Sequence, residues 1–412
     1  MIRSALGLLA LVALAWLLSE NRREVKVRTI VAGVALQLII ALIFFKIPFF
    51  KSAFLALNEL VLALDRATTE GTSFVFGYLG GAALPFDEKF PGASFVLAFK
   101  SLPLVLVVGA LSSLLFYWRV IPFIVRGVSR FLQKTMNIGG ALGVGVGVNI
   151  FVGMIEAPLF IKPYLERMTR SELFTLMTTG LATIAGTMLV LYASILKNAV
   201  PDSLGHILVA SIISAPAAIM VSKLMVPETG DKTEGDVASP NNATGAMDAV
   251  TKGTTDGLAI LLNITAMLIV LIALISLVNQ LLGFLPYVHS APVTLQRALG
   301  VIMRPVVWLI GVPWAEASTA GWLMGVKTIL NEFIAYLDLS RLPEGALSER
   351  SRMIMTYAMC GFANPGSLGI MIGGLGTMAP SRRSEIVSMG VKSVIAGTIA
   401  TLMTGAVVGI MY

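Results

Sequence analysis

An all-α polytopic membrane protein is the fold class this sequence predicts, and three observations predict it. Eight apolar stretches are each long enough to cross a hydrocarbon layer of about 30 Å. Lys and Arg crowd into the short segments between them. Two further apolar segments carry polar groups at their centres and Gly or Pro breaks, the pattern of re-entrant hairpins rather than of complete spans.

Composition names the solvent. Of 412 residues, 56% are hydrophobic and 13% charged, against roughly 25% charged in an average soluble domain. The net charge of +7 sits largely in loops such as Asn21 to Arg28, where it orients the chain and forms no groove for nucleic acid. Cys360 is the single cysteine, which excludes an internal disulfide and a thiolate cluster. His206 and His289 stand near span ends and are read as interfacial. Residues Ser4 to Leu18 follow Arg3 in the manner of a secretory signal, but no small-residue cleavage site precedes the charged run from Glu20 to Arg28. That stretch is therefore read as a retained first span.

The spans are expected at about 2–19, 28–48, 93–118, 171–199, 204–224, 253–285, 351–380 and 382–411, with hairpins at 136–167 and 304–337. Segments 50–90 and 119–134 mix Phe and Leu with charges and read as interfacial helices. Three basic loops set the orientation: Arg22, Arg23, Lys26 and Arg28; Arg119, Arg126, Arg130 and Lys134; and Arg382 with Arg383. All three belong in the cytoplasm, which puts both termini outside and opens the two hairpins from opposite sides. An inverted repeat follows: N-terminal spans and an interfacial segment over 1–92, a first repeat over 93–226, a flexible cytoplasmic linker over 227–252, and a second repeat over 253–412.

Polar residues at membrane depth mark the chemistry. Hairpin one reads Gly143-Val-Gly-Val-Gly-Val-Asn149 and continues through Val152, Gly153, Met154, Ile155, Glu156 and Pro158. Hairpin two ends in Gly325-Val-Lys327-Thr-Ile-Leu-Asn331-Glu332-Phe333. Each central carboxylate costs about 2.5 to 3.5 kcal/mol to insert, so Glu156 and Glu332 need compensation, either from a structural ion pair or from a ligand. On a continuous helix Lys327 would neighbour Asn331, and Thr328 would neighbour Glu332, in two polar rows suited to the vicinal hydroxyls of a sugar. Glu316, in Gly311-Val-Pro-Trp-Ala-Glu316, is placed at a hairpin tip, capping a half-helix. Two spans are interrupted, at Thr178 to Thr187 and at Gly361-Phe362-Ala-Asn364-Pro365-Gly366-Ser367. Such breaks free backbone carbonyls and aim half-helix ends at the bilayer centre, and with the oxygens of Asn149 and Thr183 they suit a hard monovalent cation.

Taken together, the stretches Asn149 to Leu165, Thr178 to Thr187, Gly311 to Leu339 and Gly361 to Arg383 resemble the concentrative nucleoside transporter family, also called NupC-type. The most specific motifs are Gly-x-Lys-x3-Asn-Glu-Phe and Gly-Phe-Ala-Asn. The resemblance implies a homotrimer in the bacterial inner membrane, whose protomers have eight spans, two re-entrant hairpins, a scaffold and an elevator-type transport domain. It implies a ribose held by Glu332, Asn364 and Ser367, with Phe362 against the base, and a Na+ site at Asn149, Val152, Thr183 and Ile184. Thr183 stands where Ser is usual, and Pro365-Gly366 departs from the usual residues. Where similar proteins carry Gly-Gln-Thr or Gly-Gln-Ser before the hairpin acid Glu156, this chain has Met154 and Ile155. Base selection then rests on shape, stacking and Glu156.

The expected activity is import of nucleosides by cation symport, with Na+ as the coupling ion and H+, carried on Glu156 or Glu332, as the alternative. An intramembrane hydrolase built on that carboxylate pair is the rival from another class. The chain has no His-Glu-x-x-His, and no Ser has a neighbouring base in sequence, so it is read as no enzyme. A passive channel is the other rival.

Overall fold

The computed structural model describes residues 1–88, 94–154, 157–235, 243–287 and 292–412, so Ile155, Glu156 and His289 lie outside the described residues. Within them all regular structure is helical. The chain opens with α1 (Ile2–Leu17), α2 (Val27–Lys46) and α3 (Pro48–Phe76). A first series follows: α4 (Leu97–Lys100) continuing into α5 (Leu104–Tyr117), the amphipathic α6 (Val120–Met136), α7 (Gly140–Asn149) with a tightly wound segment Ala157–Arg167, the pair α8 (Arg170–Ala182) and α9 (Gly186–Leu196), and α10 (Ser203–Met225). The second series runs α11 (Ala246–Leu282), the amphipathic α12 (Leu295–Leu309), α13 (Ala317–Ile329) with α14 (Glu332–Arg341), the pair α15 (Glu349–Met359) and α16 (Pro365–Met378), and α17 (Arg383–Met411). The order of elements is the same in both, so the expected repeat is present in the helices themselves.

Among the described residues, five stretches are long and apolar enough to cross a membrane: Val27–Lys46, Leu97–Tyr117, Ser203–Met225, Ala246–Leu282 and Pro380–Met411. The other three expected spans are α1, which is shorter, and the two pairs α8/α9 and α15/α16, each divided by a break. Those breaks fall at 183–185 and 360–364, where polar and small residues replace the helix ladder.

The segment read as hairpin 304–337 is divided differently. It opens inside α12, an amphipathic helix that is the second-half counterpart of α6, and it closes inside α14. The helical pair that occupies the hairpin's place is α13 and α14, with its turn at Leu330 and Asn331. Gly311, at φ +125, instead makes the turn between α12 and α13. Glu316 lies in that turn and accepts from the Ser348 amide at 3.1 Å and its hydroxyl at 3.0 Å, which serves the start of α15.

Each end of the helical stack has its own staple. At one end Glu20 binds Arg170 (3.0 Å) and Lys392 (3.1 Å), so the loop after α1 is tied to the start of α8 and to the first half of α17, whose own start is held by Arg382 on Glu385 (2.6 Å). The Arg170 guanidinium, with Lys392, holds the Glu20 carboxyl below the usual carboxylate range. At the other end Arg350 donates to the carbonyls of Gly311 (2.7 Å) and Gly409 (2.5 Å) and to the Ser4 hydroxyl (3.4 Å), which gathers the starts of α1 and α15 and the end of α17. The starts of α8 and α15 are thus at opposite ends, as an inverted repeat requires.

The first part of the expected flexible linker is docked. Glu172, almost fully buried, closes a capping box with Thr169 and accepts from the Thr233 amide (2.9 Å) and hydroxyl (2.7 Å). Thr233 in turn gives its carbonyl to Ala141 N at 3.2 Å, so residues 228–235 bridge α8 to the start of α7. Glu172→Ala strips an acceptor from three donors and opens a cavity; we expect a loss of about 2 to 4 kcal/mol, read as a lower thermal midpoint of the solubilised protein.

The pairing of α5 with α11 depends on close backbone approach. A Cβ on Gly253 would lie 2.5 Å from the Gly109 carbonyl oxygen, and one on Gly257, a turn further on, would lie 3.0 Å from Leu106 Cα. Small residues four apart allow such a crossing where lipid offers no hydrophobic drive to association.

Candidate functional site

Two helix starts converge on one cavity. Asn331 caps α14 by accepting from Ile334 N at 2.9 Å, and Asn364 caps α16 by accepting from Ser367 N at 2.9 Å. Pro365 occupies the first turn of α16, where its missing N–H is no loss. Glu332, the first residue of α14, thereby sits at a positive helix end. It is 4% exposed and Asn364 is 1% exposed.

Both carboxylate oxygens of Glu332 are engaged. Tyr192 Oη donates to Oε1 at 2.6 Å, and Asn364 Nδ2 donates to Oε2 at 3.1 Å. Tyr192 is held in turn by Phe333 and Tyr336, with ring centroids 6.1 and 5.2 Å away. Lys327, fully buried on α13, donates to the Ala363 carbonyl at 3.3 Å and so ties the hairpin to the break before α16. The polar rows read along a continuous helix do not form, because the turn at Leu330 and Asn331 puts Lys327 and Thr328 on α13 but Asn331 and Glu332 at the start of α14.

The cavity beside these groups measures about 170 Å³. Met154, Glu332, Phe362, Asn364 and Ser367 line it, so five of the seven residues read as substrate-binding are brought together. Ile155 and Glu156 are the two outside the described residues. Tyr192, Met188 and Asn263 also line it and were not singled out from sequence. The signal for Tyr192 and Asn263 existed: each is a hydrogen-bonding side chain inside an apolar run, where such groups are costly.

A second cluster adjoins the first. Asn149, at the end of α7, donates through Nδ2 to Thr183 Oγ1 at 2.6 Å, and the Thr183 hydroxyl donates in turn to the Thr179 carbonyl at 2.9 Å. Asn149 Oδ1 is buried with no hydrogen-bond partner among the described residues. A buried oxygen without a partner, next to the Thr183 hydroxyl, is a ligand that suits a hard cation such as sodium, and the backbone at Val152 and Ile184 is non-helical, which leaves carbonyls outside the helix ladder. The Ile184 amide is held by Ser211 Oγ at 3.2 Å. The two elements touch through backbone: a Cβ on Gly186, the first residue of α9, would lie 2.2 Å from the Phe151 carbonyl oxygen.

Comparison with known proteins identifies the family and the fold. Models described as Na+ dependent nucleoside transporter N-terminus and C-terminus match residues 6–79 and 206–409, and one described as nucleoside recognition matches 98–199. The nucleoside permease NupC of Helicobacter pylori is 33% identical over 99% of this chain and 97% of its own length. Solute carrier family 28 member 3 of Homo sapiens is 36% identical over 98% of this chain and 59% of its own length. Among solved structures, CNTnw in an inward-facing substrate-bound state superposes with a TM-score of 0.90 at 34% identity, covering 99% of this chain and 97% of that one. This chain therefore belongs to the concentrative, Na+-dependent nucleoside transporter family, whose members are transporters and not enzymes.

Proposed function

We propose that this protein imports nucleosides across the bacterial inner membrane by symport with Na+, as a homotrimer. One observation carries the reading: an acidic residue, Glu332, lies at the junction of two half-helix starts, beside Asn364, Ser367 and Phe362, in a cavity facing α11. A carboxylate accepts from two vicinal hydroxyls, an amide and a serine hydroxyl complete the sugar's hydrogen bonds, and an aromatic ring packs on the base.

Asn149, Val152, Thr183 and Ile184 are the residues we assign to the sodium ion. A bound cation satisfies Asn149 Oδ1 and draws the turn after α7 onto the break before α9. Met154, two residues beyond Val152, then takes its place on the cavity wall, so ion and nucleoside are bound by one folded unit. A membrane potential supplies about 2.3 kcal/mol per charge per 100 mV, enough for roughly 50-fold accumulation with one cation. The elevator-type division has its support in the α5–α11 pair, joined backbone to backbone at Gly109 and Gly253. The apolar flank of α11, only 12% buried along its most hydrophobic window, supports contact with lipid and with neighbouring protomers.

Uptake of radiolabelled uridine and adenosine into proteoliposomes tests the proposal. We expect accumulation under an inward sodium gradient and none with potassium in its place. Uptake that persists without sodium and collapses with a protonophore would transfer the coupling to a proton. Met154→Gln restores a donor and an acceptor to the cavity wall, and we expect it to change the uridine to adenosine ratio by about threefold or more while total uptake persists.

A further inference from the structure

Opposite the sugar-binding groups the cavity is walled by α11, through Ile260, Asn263, Ile264 and Leu268. Asn263 is the one member of this set that can form hydrogen bonds, and it stands in the run Ile260-Leu-Leu-Asn263-Ile-Thr-Ala near the middle of a helix of 37 residues. An amide at that depth is costly without a partner. On the other walls, among the described residues, the polar groups are already grouped around the two helix starts. Tyr192 and Asn364 bind Glu332, and the Asn331 side-chain oxygen Oδ1 accepts from Ile334 N. Met154 presents a thioether, a weak acceptor with no donor.

We propose that Asn263 reads the nucleobase from the α11 wall. The inference rests on the nucleoside reading of the cavity and extends it. A base whose sugar is held at Glu332 and Asn364 extends away from the helix starts. A carboxamide offers one donor and one acceptor side by side, which matches the adjacent carbonyl and N–H of uracil or hypoxanthine and equally the adjacent amine and ring nitrogen of cytosine or adenine. The amide supplies a complementary edge that Met154 does not. Moreover, α11 packs on α5 and more lightly on α12, while the sugar-binding residues belong to α14 and α16. The base contact is therefore made between two bodies, and it breaks when the sugar-binding unit moves past α11. Asn263 accordingly selects in the state described here and not throughout the transport cycle.

The test is equilibrium binding by the solubilised full-length protein in saturating sodium, comparing wild type with Asn263→Leu and Asn263→Ala. Uridine, inosine and adenosine are titrated, with purine riboside, which lacks any exocyclic group on the ring, as the control. We expect Asn263→Leu to weaken the three base-substituted nucleosides by about tenfold and purine riboside, which keeps only the ring nitrogen of the paired edge, by no more than about threefold. Asn263→Ala should behave like Leu, which separates loss of the amide from the bulk of its replacement. Equal weakening of all four ligands, or no change in any, overturns the assignment. If wild type binds no nucleoside at all, the nucleoside reading itself fails, and this inference with it.

Discussion

Glu332→Gln is expected to lower the uptake of uridine and adenosine by at least about 100-fold, equally for both, in proteoliposomes carrying a sodium gradient. The equality follows from what the side chain touches. Glu332 is at the start of α14 beside Asn364 and Ser367, the groups assigned to the sugar, and the sugar is common to both substrates. A charge-assisted hydrogen bond contributes about 1.5 to 3 kcal/mol, so two hydroxyls on one carboxylate represent roughly 3 to 6 kcal/mol, or about 10² to 10⁴ in affinity. The amide of Gln keeps the shape and one oxygen but turns the second acceptor into a donor, against Asn364 Nδ2, which already donates there. Glu332→Ala should lose uptake as completely. A purely structural carboxylate predicts another pattern: a large fall in thermal midpoint, with residual transport in the fraction that folds. Uptake by the Gln variant within about threefold of wild type would sink the assignment.

How far the sequence reached depends on what kind of signal each element carries. Apolar length reports spans directly, and the order of elements repeats as the hydropathy and breaks imply. Where two signals coincide the reading slips. Residues 295–309 place Arg297 and Arg304 among apolar residues, and Pro305 with Gly311 looks like a break within a single membrane segment. In the structure those residues end one helix and turn into the next, and the break that matters, at Leu330 and Asn331, contains neither Gly nor Pro. It is made by an asparagine that caps a helix start, a signal that needs the third dimension because Asn is also tolerated inside helices. Tyr192 carried a sequence signal, a hydroxyl inside an apolar run, but a weak one: a tyrosine within Leu191-Tyr192-Ala193 reads as ordinary core until Glu332, 140 positions away, is found on its hydroxyl. By contrast Asn149 and Thr183, and Glu332 and Asn364, were legible because buried polar groups in lipid must find each other, and both pairs do. The docked start of the linker was masked by its composition, since Thr233 looks like any polar loop residue until Glu172 is seen to accept from it.

Gly186→Ala sets two rules against each other, and the structure decides the sign. Gly186 is the first residue of α9, so only part of the roughly 0.5 to 1 kcal/mol by which Ala is favoured over Gly in a helix interior applies, and propensity alone would leave the variant slightly more stable. Here the added carbon would lie 2.2 Å from the Phe151 carbonyl oxygen, and the obstacle is backbone, not the end of a flexible side chain. The turn after α7 must then retreat from the break before α9, carrying Val152 and Asn149 away from Thr183 and Ile184. Overpacking of this kind costs about 1 to 3 kcal/mol, and that loss falls on the ion-bound form, which needs the two elements together. We therefore expect Gly186→Ala to raise the sodium concentration for half-maximal uptake by at least about tenfold, with the protein still folded and still trafficking to the membrane. Gly373→Ala is the control: no atom outside its own helix lies within 4 Å of the added carbon, so sodium dependence should stay within about twofold of wild type. Unchanged sodium dependence in Gly186→Ala would mean that turn and break are not held as one unit, and that the ion, if it couples to transport here, acts somewhere else.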